Sequence, residues 1–216
     1  MSEITEQLKK WTGEFGKEYT ERNPTTLKEL ETLYQKNYGI TRTELNRLFL
    51  ENLPLSMRIL EVGSNVGNQL LCLQKMGFKN LYAIEPQSYA VELSKSRTKD
   101  INIIKGDGFD IPFKDKYFDL VFTSGVLIHI HPSSILQVMK EIYRCTKTYI
   151  WGFEYYATEY TEIVYRGQEN LLWKVNFSKM FREEFNDLEL VKEKYLPYLH
   201  NEKNVDVMFL LKKKSK

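Results

Sequence analysis

Residues 58–68, RILEVGSNVGN, leave the chain few ways to fold. The apolar run at 59–62 reads as a short strand, and a glycine turn carries it into a helix that begins near Val66. Gly63 permits a sharp turn at the strand end, where a side chain would collide with a ligand or force a strained backbone. Gly67 lets the following helix pack close to the strand. The helix N-terminus presents free N–H groups over the turn, a geometry that doubly wound sheets use to hold nucleotides. Glycines also serve turns for steric reasons alone, so the acids around the turn carry the argument. Glu61 sits two residues before Gly63. Glu85 ends the next strand-like run, LYAIE, 24 residues after Glu61, and Asp107 ends INIIKGD, a further 22 residues on. Strands at that spacing form βαβ units. Three carboxylates then line up along one edge of a parallel sheet, outside the carboxyl ends of its strands, where ligands bind.

The flanking sequence supplies the other layers. Residues 1–23 are polar apart from Trp11, Phe15 and Tyr19, spaced by four on one helical face, with Gly13 and Gly16 as breaks. This segment reads either as a terminal helix laid on the core or as a lid over the glycine turn. Asn23-Pro24-Thr25 marks a boundary, and Thr25 or Thr26 caps a helix with Leu27, Leu30, Leu33 and Tyr34 on one face. A helix at 42–51 buries Leu45, Leu48 and Phe49. The pattern then predicts a helix at 66–76, a strand at 81–84, a helix at 87–97, strands at 101–104 and 117–122, a helix at 134–145 and a strand at 148–153. Runs at 188–195 and 205–211 close the chain as a hairpin-like pair, with the final strand antiparallel at the edge. The expected division is a helical cap at 1–52 and one compact unit at 53–216.

A chain of 216 residues can bury a deep core, and its 42% hydrophobic content is ordinary. Its 31 basic and 29 acidic residues are interspersed, for a net charge of +2. No basic stripe stands out, so no nucleic-acid partner is expected; Lys212, Lys213, Lys214 and Lys216 read as a solvated end. Cys72 and Cys145 are the two cysteines and read as reduced, buried thiols of a cytosolic protein. No apolar run approaches ~18 residues, and no signal peptide is evident, so a cytoplasmic protein without membrane contact is expected. The acids, histidines and thiols lack ligand spacing, and no metal is expected.

On the three acids and the glycine turn, the chain resembles the class I S-adenosylmethionine-dependent methyltransferases. The resemblance implies an α/β, Rossmann-like seven-stranded sheet, mostly parallel with an antiparallel last strand, helices on both faces and an N-terminal helical lid. It implies S-adenosyl-L-methionine as cofactor and S-adenosyl-L-homocysteine as product. Glu61, Gly63, Ser64, Asn65 and Gly67 would hold the methionine part, Glu85 with Pro86 the ribose hydroxyls, and Asp107 with Gly108 and Phe109 the adenine. Ser124, Gly125 and Val126 would line the site from the exit of the fourth strand, with Trp11, Phe15 and Tyr19 closing it from the lid. The family's turn is GxGxG, whereas Asn65 stands at the second glycine here. Asn tolerates positive φ, and its amide is expected to bond the methionine carboxylate or the backbone.

Methyl transfer from a sulfonium is an in-line displacement in which the cofactor supplies the hard chemistry and the protein the alignment. Alignment alone is worth about 7–11 kcal/mol, and a base is needed only where the acceptor loses a proton. His129 lies just past the fourth strand and suits a base at neutral pH; the same position also suits a histidine bonded to a backbone carbonyl that shapes the pocket. Glu154, at the end of the fifth strand, reads as an acceptor ligand or base, or as an acid paired with Arg166 or Lys174. Tyr155, Tyr156, Tyr160 and Tyr165 offer hydroxyls or an aromatic core under a loop. Tyr156 and Tyr165, with Arg166 and Lys174, are the expected acceptor contacts, Arg166 bidentately to an anion.

The segments GEFGKEYTERNP, YGITRTELNRLFL, GVLIHIHP and EYY…VYRG…LWKVNF are similar to the methylases associated with pseudaminic acid biosynthesis. That resemblance implies transfer to an O or N atom of a small polar acceptor: a sugar, sugar nucleotide or phosphorylated precursor of a bacterial surface polysaccharide or capsule. RNA methylation and a cofactor-binding module without catalysis are the other readings. A dinucleotide oxidoreductase is disfavoured, because Asn65 replaces the glycine that lets pyrophosphate approach.

Overall fold

A computed structural model describes residues 5–24 and 26–214. Seven strands form one sheet: β1 (Arg58–Val62), β2 (Asn80–Glu85), β3 (Asn102–Lys105), β4 (Phe118–Ser124), β5 (Thr146–Tyr155), β8 (Leu188–Tyr198) and β9 (Asn201–Lys213), in the order β3-β2-β1-β4-β5-β9-β8. Strands β1 to β5 pair in parallel, and β9 is antiparallel to both β5 and β8. The sheet and its single reversed strand are those expected, with one correction. The final strand is not the edge: β9 inserts between β5 and β8, and β8 takes the border. The apolar run VMFLL of β9 needs neighbours on both sides, whereas β8 is mostly exposed and polar and tolerates a free edge.

Period-two alternation divides each central strand between two buried layers. Leu60, Val62, Val121, Phe209 and Leu211 face one core, shared with α7 (Ile135–Cys145) and α8 (Phe177–Glu184). Ile59, Leu120, Phe122, Trp151, Met208 and Leu210 face the other, shared with α3 (Leu27–Tyr38), α4 (Arg42–Leu50) and α5 (Asn68–Lys75). Helix α6 (Ser88–Arg97) links β2 to β3. Both faces are covered, which is why the central strands read as continuous apolar runs.

Capping boxes start α3, through Thr26 and Glu29, and α4, through Thr41 and Glu44. Thr25, the other proposed cap, lies outside the described residues, as does Lys216. The N-terminal segment is two helices, α1 (Glu6–Thr12) and α2 (Glu14–Arg22), broken at Gly13. Three features were not legible as elements: α8, a short hairpin of β6 (Thr161–Glu162) and β7 (Trp173–Lys174), and a 3₁₀ turn at Leu127–His129. On α4 the inward face is more polar than expected. Leu48 is exposed, while Arg42 and Asn46 are fully buried. Lys213 is no solvated tail: its Nζ donates to the carbonyls of Tyr143 and Thr146, each at 2.7 Å. No helix among the described residues is long and apolar enough to cross a membrane.

Candidate active site

The carboxyl ends of β1, β2 and β4 open into one cavity of about 350 Å³, flanked by α3 and roofed by α1 and α2. Its floor is the glycine turn. Gly63 has φ 75°, and a Cβ there would lie 2.7 Å from Cγ2 of Val126. Any side chain would therefore be both strained and blocked. Asn65 has φ 49° and keeps the turn in the left-handed region, as its side chain allows. Its N–H donates to Oε2 of Glu85 at 2.7 Å, and the N–H of Gln87 donates to Oε1 at 2.8 Å. No described hydrogen bond runs from the Asn65 side chain to the backbone, and its Oδ1 atom is buried without a partner. Gly67 does not line the cavity. A Cβ there would meet Ile103 at 2.8 Å, so its role is close packing against β3.

The polar atoms around this turn are unbalanced. Glu61 Oε2, Asn65 Oδ1, Asn68 Oδ1 and Gln69 Oε1 are buried acceptors without a donor, and all four residues line the cavity. The Asn68 amide is oriented by its donation to the Pro24 carbonyl at 2.7 Å. Buried acceptors left unpaired are costly, and donors brought by a ligand would satisfy them. Burial pushes the carboxyl of Glu61 well above the ordinary range, against the field of Arg42. Burial likewise raises Glu85 to about 7, opposed by the two backbone N–H groups. Each Glu85 oxygen accepts one of these and retains capacity for a further donor. Asp107 lines the next part of the cavity and holds the loop through Phe109 N–H to Oδ1 at 2.9 Å. Ser64, Pro86, Gly108, Phe109, Ser124, Gly125 and Val126 complete the walls at the expected positions.

The roof is aromatic. Trp11 packs on Phe15 (centroids 5.2 Å apart), Tyr19 (5.0 Å) and His129 (4.4 Å). Trp11, Tyr19 and His129 line the cavity; Phe15 does not, and packs behind Trp11 against Tyr165. Gln87 ties the roof down. Its Nε2 donates to the carbonyls of Gly13 (2.8 Å) and Trp11 (3.2 Å). Gly16 makes the fold of α1 on α2 possible, since a Cβ would sit 1.8 Å from the Trp11 carbonyl oxygen.

The two proposed bases part company. His129 is buried at the cavity wall, with Nδ1 2.7 Å from the Leu171 carbonyl oxygen. A carbonyl only accepts, so Nδ1 carries the proton and Nε2 is the basic atom. Burial lowers its pKa to about 4, so the ring is neutral at pH 7. Glu154 is fully buried and outside the cavity lining. Both of its oxygens accept from Val126 N–H, at 3.0 and 3.2 Å, and further bonds from Thr123, Leu127 and Ile128 oppose the burial that raises it to about 7. Glu154 thus pins the loop after β4 rather than facing an acceptor. Alternation along β5 is the reason: Phe153 and Tyr155 face the cavity, and Glu154 turns away.

The four expected acceptor contacts also lie elsewhere. Tyr156 packs on Tyr195, Tyr165 on His129, and Arg166 is exposed beside the Tyr165 ring. Lys174 donates to Asn204 Oδ1 at 3.0 Å, behind the Tyr155 ring. None of the four lines the cavity. In their place stand Tyr34 and Tyr38 from α3, Tyr155, Tyr198 and Asp206. One signal was available: Asp206 interrupts the apolar run of β9, as few buried strands permit without a reason. Among the described residues no three His, Cys, Asp or Glu side chains gather as a metal site.

Comparison with known proteins agrees with this geometry. A family model described as a methyltransferase domain matches residues 60–149, from β1 into β5. Sterol methyltransferase-like 3 of Botryococcus braunii is 27% identical over 104 residues, which are 45% of this chain; the chain spans about a quarter (26%) of that protein. A SAM-dependent methyltransferase of Leishmania major superposes with a TM-score of 0.71 at 18% identity, covering 96% of this chain and 86% of that one. The Burkholderia thailandensis 1,6-didemethyltoxoflavin N1-methyltransferase, solved with S-adenosylhomocysteine, superposes with a TM-score of 0.64 at 11% identity over 80% of this chain and 76% of its own. Residues 60–149 thus match a methyltransferase domain, and the sheet and cavity built around them have the methyltransferase-like fold.

Proposed function

We propose that the protein transfers a methyl group from S-adenosylmethionine to an O or N atom of a small polar metabolite. The observation that carries this reading is the set of unpartnered acceptors at the glycine turn, Glu61 Oε2, Asn65 Oδ1, Asn68 Oδ1 and Gln69 Oε1. They complement the ammonium of a methionine moiety, and the nearby carboxylates favour its positive charge. Glu85 has oxygen capacity left for ribose hydroxyls, and Asp107 faces the adenine end. When bound, the cofactor supplies an electrophilic methyl on sulfur. The chain's part is alignment and exclusion of water by the roof of α1 and α2, which act as a lid. His129, neutral with Nε2 basic, orients an acceptor proton; its low pKa makes it a weak base.

A cavity of about 350 Å³ under a roof supports a small acceptor rather than nucleic acid. The four sequence segments similar to pseudaminic acid-associated methylases support a sugar or sugar-nucleotide precursor of a surface polysaccharide. Cys72 and Cys145, both free and buried, fit a reducing cytoplasm. The test is calorimetry with S-adenosylmethionine against NAD, followed by labelled methyl transfer to a metabolite extract separated from RNA. Tight binding of the sulfonium and label in the small-molecule fraction are expected. No heat at millimolar S-adenosylmethionine, or label only in RNA, would overturn the reading.

A further inference from the structure

The cavity does not end at the cofactor turn. It runs past Ser124 and Phe153 to a second wall that the glycine turn and its acids leave unexplained. There β5, β8, β9 and α3 meet. Asp206, 2% exposed, projects from β9. Tyr38 donates to its Oδ2 at 2.5 Å and Tyr198 at 3.2 Å, and Tyr155 is hydrogen-bonded to Tyr198. No described hydrogen bond ends on Oδ1. Asp206 has no ion-pair partner among the described residues, although Arg42 and Lys174 act on it electrostatically.

Chemistry narrows what could sit here. Once ionised, above about pH 7, the Asp206 carboxylate only accepts hydrogen bonds, and Oδ1 then calls for a donor. Tyr34 faces the same space, and its hydroxyl oxygen accepts from Arg42 Nη1 at 2.6 Å, leaving its own proton to donate into the cavity. An acceptor and a donor thus lie on one wall, the pattern that a hydroxyl-bearing ring satisfies twice. Beside them the rings of Tyr34, Tyr38, Phe153 and Tyr198 pack with centroids 5.0–6.0 Å apart, an aromatic surface for an apolar ring face. A cation is the poorer occupant, because two positive side chains already act on Asp206.

We infer that Asp206, Tyr38, Tyr198 and Tyr34 form a binding subsite for a neutral polyhydroxylated acceptor, with Asp206 Oδ1 accepting from one of its hydroxyl groups. This rests on the methyltransferase reading above and gives it a substrate class. The subsite and the glycine turn line one cavity, so cofactor and acceptor bind side by side.

The experiment is near-UV circular dichroism of the full chain loaded with S-adenosylhomocysteine. The titrants, at pH 8, are N-acetylglucosamine, glucose and myo-inositol, with choline and putrescine as cationic competitors. At least one hydroxylated probe should perturb the tyrosine band saturably, and Asp206→Asn should weaken that binding at least tenfold. Tyr198→Phe, milder in its effect on the fold, should weaken it three- to tenfold. Both variants should keep the S-adenosylhomocysteine dissociation constant within about threefold. A response to the cations alone, to no probe, or undiminished in both variants overturns the subsite. Failure of the wild type to bind S-adenosylhomocysteine would instead remove the methyltransferase reading on which it stands.

Discussion

Glu154 shows how one side chain changes meaning between sequence and structure. At a strand end beside two tyrosines it reads as chemistry; in the fold it is an anchor for the loop after β4, the loop that carries Val126 against Gly63. Gln at this position replaces an oxygen acceptor by an NH₂ that confronts backbone N–H groups. A buried bond lost in this way costs about 1–3 kcal/mol. Glu154→Gln is therefore expected to lower the melting temperature by several degrees at pH 8, where the carboxylate is ionised. Scanning calorimetry checks this. A hundredfold loss of kcat at an unchanged melting temperature would instead return Glu154 to the role of base.

At the scale of elements, the roof has one visible latch. Helices α1 and α2 contribute Trp11 and Tyr19 to the cavity, and Gln87, at the N-cap of α6, holds their junction through two carbonyls. The Gln87 side chain also accepts from Tyr89 N–H at 3.1 Å, which ties the latch to the first turn of α6. Two partly buried hydrogen bonds at about 0.5–1.5 kcal/mol each set the scale of roof opening. Gln87→Ala is expected to speed amide exchange in α1 and α2 by roughly tenfold, with faster release of S-adenosylhomocysteine. Hydrogen exchange by mass spectrometry reads the first and stopped-flow Trp fluorescence the second; unchanged exchange would mean that the roof is held by its aromatic packing.

Over the whole molecule, burial of carboxyl groups predicts an unusual pH response. Glu85, Glu154 and Asp206 hold their protons to about pH 7 in the fold, whereas unfolded carboxyls release them near 4. The fold therefore binds more protons across that interval, and the stability these groups confer below it is lost as pH rises to 7. His129 acts in the opposite sense: neutral in the fold down to about 4, it makes stability fall as pH drops below 6.5. Three carboxyls, joined by Glu61, outweigh one imidazole. The ligand-free protein is expected to melt several degrees higher at pH 5.5 than at pH 8, and S-adenosylmethionine to stabilise it more at pH 8, where its positive charge meets ionised acids. Differential scanning fluorimetry at the two pH values, with and without the compound, checks both; a ligand-free midpoint that is flat or rises with pH contradicts the account.

Local patterns along the chain were enough to establish the strands of the main sheet, the cap before α3, the glycine turn and the acids at three strand ends. Each of these depends on neighbours a few residues away: the period of two that buries β1 and β4 on both sides, the cap that Thr26 gives α3, the positive φ that Gly63 and Asn65 accept. Periodicity tells which residues share a face, but not which face meets a cavity. That is why Tyr155 rather than Tyr156 lines the site, why Glu154 turns away, and why Arg42 rather than Leu48 is buried on α4. Only three-dimensional packing could insert β9 between β5 and β8 and so carry Asp206 to Tyr38, 168 residues away in sequence. A contact over that distance leaves no local spacing to read, because it is decided by the order of strands in the sheet and by the helix that comes to rest against them.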